Sequence, residues 1–373
     1  MNKLIALLLA VFMCLTLAAC GSSNTITESP YEETAAPIAT APVESEPLPE
    51  ASQDNQQPTE TQQPTESNVI SIYTAEELFS TAYNPNKTYI LENDIDLANY
   101  SSTISELNGI FEGNGKTIRN ASAPLVLKNN GTIQNLTMEN CQITATEDAA
   151  ALVVNNSGIV SNCKVSGTVN ATAENIYAGG IVSRNEGTIE HCANYAEITA
   201  VSYAVNELGN VIHGTFACAG GISATNNWGT ISQCWNEGTI SAKDADYLSS
   251  CGGIVALNTH GNIENCYNTG TVIKPEGRGD SGGIAGNSEA NGRIVNCYNV
   301  GTASSGICGD NRDYIIDCYY LSSASENGSG SGLNTEGERF FAFSEGELTA
   351  QETFSAFDFA TVWKMSENGP ILQ

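Results

Sequence analysis

A right-handed parallel β-helix, an all-β solenoid with short capping helices at both ends, is the fold this chain predicts, and three observations predict it. A block reading Gly-Asn-Ile-Glu-Asn-Cys-Tyr-Asn-Thr-Gly-Thr-Val at 261–272 recurs without a gap at 187–198, 229–240 and 292–303. It recurs more loosely at 158–169 and in truncated form at Asp313-Tyr314-Ile315-Ile316-Asp317-Cys318. The Cys of successive copies (Cys163, Cys192, Cys234, Cys266, Cys297, Cys318) lie 29, 42, 32, 31 and 21 residues apart, the pattern of a fixed coil carrying loops of variable length. A second element, Gly-Gly-Ile, precedes the copies at Gly179-Gly180-Ile181, Gly220-Gly221-Ile222, Gly252-Gly253-Ile254 and Gly282-Gly283-Ile284, with Ser305-Gly306-Ile307 as its last form.

One coil therefore reads as three short strands: one at Gly-Gly-Ile, one at Gly-Thr-Ile, and one from Cys to Val or Ile. Ile263 and Cys266 are an odd number of residues apart and would face opposite sides of one straight strand, so a corner is expected between them. A leucine-rich repeat would need Leu at fixed offsets, and this region has almost none.

These units resemble the GLUG repeats of bacterial surface proteins, which also occur in non-catalytic parts of some IgA-cleaving metallopeptidases. The short motif of that family, Gly, apolar, any residue, Gly, stands at Gly283-Ile284-Ala285-Gly286 and Gly306-Ile307-Cys308-Gly309, and its second Gly is replaced elsewhere by Ser183, Ala224 or Ala256. The broader resemblance covers roughly residues 70–373. It takes in Asp94-Ile95-Asp96-Leu97, Phe111-Glu112-Gly113-Asn114-Gly115-Lys116-Thr117-Ile118 and the closing Val362-Trp363-Lys364 with Gly369-Pro370-Ile371-Leu372. The resemblance implies a solenoid fold and a cell-surface location.

In chain order, residues 1–19 carry Lys3, an apolar run from Leu4 to Leu15 and Leu17-Ala18-Ala19 before Cys20, which reads as a secretory signal. Leu-Ala-Ala-Cys resembles the bacterial lipoprotein signal, and that likeness implies that Cys20 receives diacylglycerol, is acylated with palmitate, and anchors the chain on the outer face of the cell membrane. Residues 20–67 are rich in Pro, Thr and Glu and lack Lys and Arg, so they cannot bury enough apolar surface to fold and form a tether. If largely polyproline-like, that tether reaches roughly 150 Å. Residues 68–110 are expected to be an N-terminal cap, opened by the capping box Thr74-Ala75-Glu76-Glu77 ahead of a short helix. Residues 111–320 are expected to hold the coils, with Leu136 in the slot that Cys fills later, and 321–373 a C-terminal cap with a helix near 344–354.

The net charge of −28, with 14 basic residues, excludes nucleic acid as a natural partner and argues against adsorption to anionic headgroups. The repeat cysteines read as a buried stack of small apolar thiols, because same-slot side chains on neighbouring coils run parallel and disfavour a disulfide. Cys218 and Cys251, in expected loops, are the pair left open to oxidation. Asn194, Asn236, Asn268 and Asn299 follow the repeat Cys by two residues and predict an asparagine ladder.

Neither metal nor cofactor is called for, and the chain lacks His-Glu-x-x-His. Gly279-Asp280-Ser281-Gly282-Gly283 matches the surroundings of a serine-protease nucleophile, but Ser281 fills the slot of Ala178, Ala219 and Cys251, and repeat register explains it. Arg278-Gly279-Asp280 matches an integrin-binding tripeptide in an expected loop. The candidate ligand site is a stripe formed by Trp235, Tyr267, Tyr298 and Tyr319, each directly after a repeat Cys and so facing outward: the rings either stack on one another and shield the coil, or stay exposed and stack on a surface glycan or on a host or neighbouring-cell protein. The function expected is therefore adhesion or ligand binding without catalysis. The alternative is a polysaccharide lyase or glycoside hydrolase using Asp244 and Asp246, or Asp280, Asp310 and Asp313 with Arg278, Arg293 and Arg312.

Overall fold

The computed structural model describes residues 67–202, 210, 215–243, 248–275, 279–332 and 338–373. Cys20 with its signal and tether, Asp244, Asp246, Arg278 and parts of the loops around 203–214 and 244–247 lie outside the described residues.

Each coil is a parallel wrap whose strands bond to the same slot of the next coil. One full turn runs Asn175–Gly179, Val182–Asn185, Thr188–Glu190, Ala193–Asn194 and Glu197–Ser202. The Thr-Ile strands build a ten-stranded sheet from Val69–Ile72 to Tyr314–Ile316, in which Ile189, Ile231, Ile263, Ile294 and Ile315 meet in register. The strands after each Cys build a twelve-stranded sheet, and those flanking Gly-Gly a fourteen-stranded one. The latter is two rows joined by Ser305–Asn311, which pairs with both Gly279–Gly282 and Ala285–Glu289. The chain is thus a parallel β-helix. Its named strand pairs are parallel except for the terminal hairpin Trp363–Ser366 with Gly369–Leu372.

Two details differ from the sequence reading. In the four copies before the last, Gly-Gly-Ile is a corner between two strands rather than a strand, because no side chain fits at its second Gly: a Cβ on Gly221 would stand 2.1 Å from the Gly253 carbonyl oxygen and 2.6 Å from Asn236 Cγ. The segments after Cys234, Cys266 and Cys297 are also broken, each at an Asn-x-Gly turn such as Asn236-Glu237-Gly238, so these coils have more corners than three. The corner expected between Ile263 and Cys266 is present at Asn265. Asn135, Asn162, His191, Gln233, Asn265, Asn296 and Asp317 all adopt left-handed φ between 49° and 57° one residue before the inward slot. Asn and Asp tolerate that conformation best among non-glycine residues, and the turn brings Ile and Cys onto the same side of the wall.

The interior is lined by buried apolar side chains. The repeat thiols, the stacked Ile residues, Leu136 and Met138 are fully or almost fully buried. The Cys163 backbone N–H donates to Cys192 Sγ at 3.4 Å, Cys192 to Cys234 at 3.4 Å and Cys266 to Cys297 at 3.4 Å, while each thiol donates to the carbonyl two residues before it. Burial pushes the thiols of Cys163, Cys234 and Cys297 up, which keeps them protonated as donors.

The expected asparagine ladder forms, with Nδ2 to Oδ1 distances of 2.7 Å from Asn194 to Asn236, 2.8 Å from Asn236 to Asn268 and 2.8 Å from Asn268 to Asn299. A second ladder, unread in the sequence, fills the corner after the Gly-Gly sheet: Asn129, Asn156, Asn185, Asn226 and Asn258, at 2.7–2.9 Å. In both, the same amides close their own turn by bonding a backbone group two or three residues on. Buried amides so paired avoid the desolvation cost of an orphaned polar group.

At the N-terminus Thr74 and Glu77 form the expected capping box and Ala75–Ser80 is helical, but the sheets already begin at Val69, so residues 68–110 are part of the solenoid wall. At the other end sheet pairing continues past 320 to Phe340–Phe343. The expected helix near 344–354 is two short 3-10 turns, Glu345–Glu347 and Gln351–Phe354. Gly346 and Thr349 disfavour a continuous helix, and the broken path delivers Phe354 and Phe357 onto the solenoid wall.

Candidate functional site

The expected aromatic stripe exists but is not a surface. Trp235, Tyr267, Tyr298 and Tyr319 stand in register on successive coils, and Trp235–Tyr267 and Tyr267–Tyr298 are stacked with centroids 5.9 and 5.2 Å apart. Yet Tyr267 is only 7 % exposed, Tyr298 1 % and Tyr319 3 %. Phe354, Phe357 and Trp363 of the C-terminal segment lie over them, with Trp363 at 5.8 Å from Tyr298 and Phe357 at 5.2 Å from Tyr319. Trp363 Nε1 donates to Asn265 Oδ1 at 3.3 Å, and the Tyr298 hydroxyl donates to the Pro370 carbonyl. The row of outward rings is too apolar to leave in water when a chain end rich in Phe can cover it. The stripe is the seat of the C-terminal cap, and only Trp235, half-buried with Nε1 on Glu237 Oε1 at 3.2 Å, keeps an edge in solvent.

Cys218 and Cys251 do not face one another. Both lie in strands of the Gly-Gly sheet, where Cys218 pairs in register with Ser250 and Cys251 with Ala219. Adjacent positions along a strand point to opposite faces, so one thiol enters the core and the other does not. The ten cysteines among the described residues are free and buried.

The acidic candidates separate into two groups. Asp280 and Asp310 come together beside the Gly-Gly sheet, where burial first and then the Asp310 charge push the Asp280 carboxyl up. Asp310 is held by Arg312 at 3.1 Å and approached by Asn287 Nδ2 at 3.5 Å. Asp313 instead ends the second ladder, accepting from Ser288 Oγ at 3.0 Å and the Asn291 backbone N–H at 2.7 Å. Arg293 sits on the Thr-Ile sheet in register with Tyr314. Ser281 is fully buried, and its Oγ has no hydrogen-bond partner among the described residues, which removes it as a nucleophile accessible to substrate. Gly279 and Asp280 of the integrin-like tripeptide lie in a strand with Asp280 half-buried, correcting the expected loop. Among the described residues no group of three or more His, Cys, Asp or Glu is placed to hold a metal.

The site that sequence reasoning missed is a stacked pair on the corner of the second ladder. Asn185-Glu186-Gly187 closes that corner with one residue between Asn and Gly, whereas Asn226-Asn227-Trp228-Gly229 and Asn258-Thr259-His260-Gly261 each carry one more. The extra residues, Trp228 and His260, take left-handed φ of 61° and 57°. Their rings lie 4.0 Å apart and 8° from parallel, and Trp228 is 70 % exposed, more than any other large apolar side chain described. A left-handed aromatic costs about 1–2 kcal/mol. The turn at 185–187 closes without it, using the same amide-to-carbonyl bond. The visible signal was the one-residue lengthening of two otherwise aligned turns.

Known proteins resemble parts of this chain. Residues 248–273 match the family model described as the GLUG motif. Halomucin of Haloquadratum walsbyi is 39 % identical over 92 residues, which are 22 % of this chain and 1 % of halomucin. A crystal structure of a Bacteroides ovatus protein provisionally assigned as an immunoglobulin A1 protease aligns over 81 % of this chain and 91 % of its own, at TM-score 0.46 and 20 % identity. A second structure, an IgA1 protease, aligns over 74 % of this chain and 21 % of its own, at TM-score 0.41 and 13 % identity. Likeness of that degree carries no activity across to this chain. Residues 248–273 are a GLUG-motif repeat, and the coils in register with them are built to the same plan.

Proposed function

We propose that this chain is a lipid-anchored protein of the bacterial cell surface, a solenoid held off the membrane by an acidic tether and used for adhesion or ligand binding. The observation that carries the binding reading is Trp228, an exposed ring held in a costly backbone conformation that the fold does not need. Anchorage rests on Leu17-Ala18-Ala19-Cys20 and the tether behind it. Against the lyase or hydrolase alternative, Asp310 and Asp313 are engaged by Arg312, Ser288 and Asn291 within the fold.

Metabolic labelling with a fatty-acid analogue is expected to mark the wild-type chain and not Cys20→Ser; equal labelling of both would remove the anchor. Cells displaying the full chain, screened against glycans and extracellular-matrix proteins beside turnover assays on polysaccharides, are expected to show saturable binding without bond cleavage. Cleavage would establish the enzyme instead.

A further inference from the structure

We propose that the open face of Trp228 is a stacking site for one pyranose ring of a neutral glycan, with Glu186 beside it as a hydrogen-bond acceptor that also turns acidic sugars away. This rests on the binding reading above and gives it a ligand class. Rings on successive coils stack along the solenoid axis, and His260 covers the face of Trp228 turned toward the C-terminal end. The other face looks toward the corner at 185–187, and the 70 % exposure of Trp228 leaves it open.

The two corners are in direct contact: the Thr230 N–H donates to the Gly187 carbonyl at 2.9 Å, and a Cβ on Gly229 would lie 2.9 Å from that same oxygen. Because the 185–187 turn is one residue shorter, that coil carries no counterpart of Trp228 in the stacking slot. What remains is a notch about one coil spacing, ~4.8 Å, deep along the axis. That depth admits one ring lying flat on the indole.

The chemistry around the notch selects the guest. The C–H face of a pyranose matches an indole face, and its rim hydroxyls donate to a carboxylate. Glu186 is exposed and holds, on the neighbouring coil, the position of Asn227, the residue before Trp228, and Glu289 lies at the corner beyond His260, whose backbone N–H donates to the Glu289 carbonyl at 3.2 Å. With a net charge of −28 on the chain, a uronic or sialic acid meets like charge from both the site and the whole surface. A quaternary ammonium is the other guest an indole accepts, but such cations are held by a cage of several rings, and here one face alone is free.

The test uses the full chain purified in detergent and a panel of neutral and acidic oligosaccharides, with trimethylammonium compounds as competitors. Trp228→Asn removes the ring while keeping a residue that tolerates the left-handed backbone, so folding is retained and the thermal midpoint should hold or rise. It is expected to weaken neutral-glycan binding by about tenfold to a hundredfold. Glu186→Lys is expected to admit acidic oligosaccharides that the wild type rejects. Wild-type preference for acidic sugars, neutral-glycan binding untouched by Trp228→Asn, displacement by trimethylammonium, or no glycan bound at all would each overturn the proposal. Matrix-protein binding that is lost in Trp228→Asn, with no glycan bound, overturns the sugar and leaves the adhesion reading standing. Loss of every ligand class removes both.

Discussion

Cys266 shows how a single side chain is fixed by its place in a stack. Its thiol donates to the Glu264 carbonyl at 3.3 Å and sits between Cys234 and Cys297 with no access to water. Cys266→Ala removes one sulfur and a weak bond, and is expected to cost about 1–2 kcal/mol in chemical denaturation. Cys266→Asp places a carboxylate in a fully buried slot, facing the Glu264 and Ile231 carbonyl oxygens with the Cys234 N–H as its donor, and is expected to cost several times more or to prevent folding. The native thiols should resist alkylation until the chain unfolds, and rapid labelling of the folded protein would contradict the inward assignment. This much was legible from the residues, because Cys and Ile recur at a fixed offset and a fixed offset in a solenoid is a fixed direction. The left-handed corners were also written in the sequence, as Asn, His, Gln or Asp before every repeat Cys, but they become readable only once the odd spacing of Ile263 and Cys266 is traced to one backbone angle.

Among the elements, the coils were legible, and so was a cap in the C-terminal segment, but the seat of that cap on the aromatic row was not. A coil is local and periodic, whereas Trp363 reaches Tyr267 and Tyr298 from a terminal segment that lies beyond the last repeat copy. Parity correctly turned the four aromatic rings outward, but parity cannot say what later covers an outward face. Trp363 is fully buried in the cluster of Tyr298, Phe354 and Phe357, so Trp363→Ala is expected to cost about 3–5 kcal/mol. It should also raise binding of a hydrophobic dye as Tyr267 and Tyr298 come into contact with solvent. A change below about 1 kcal/mol with no new dye binding would mean that the cap is held elsewhere. The Trp228 site escaped for a different reason: it is an interruption of the period, and alignment by repeats treats an extra residue as noise.

For the whole molecule, the common register means that the coil is the unit of stability. Removing residues 221–252 joins Gly220 to Gly253, restores Gly-Gly-Ile and shortens both ladders by one rung. That chain is expected to fold, with β-rich circular dichroism and one cooperative transition. Removing 221–236 alone would set Glu237 against the Gly-Gly corner of its neighbours and is expected to give no cooperative unfolding. The second ladder adds a further consequence. Each Nδ2 donates toward the C-terminal side, from Asn129 through Asn258 to Ser288, and the row ends on the Asp313 carboxylate. The amide dipoles therefore point one way along the axis, and their positive end meets an anion, as the positive end of a helix does. A solenoid wired in this way has a polarity: coils can be added or removed, but none can be turned end for end, and the carboxylate belongs at one terminus only.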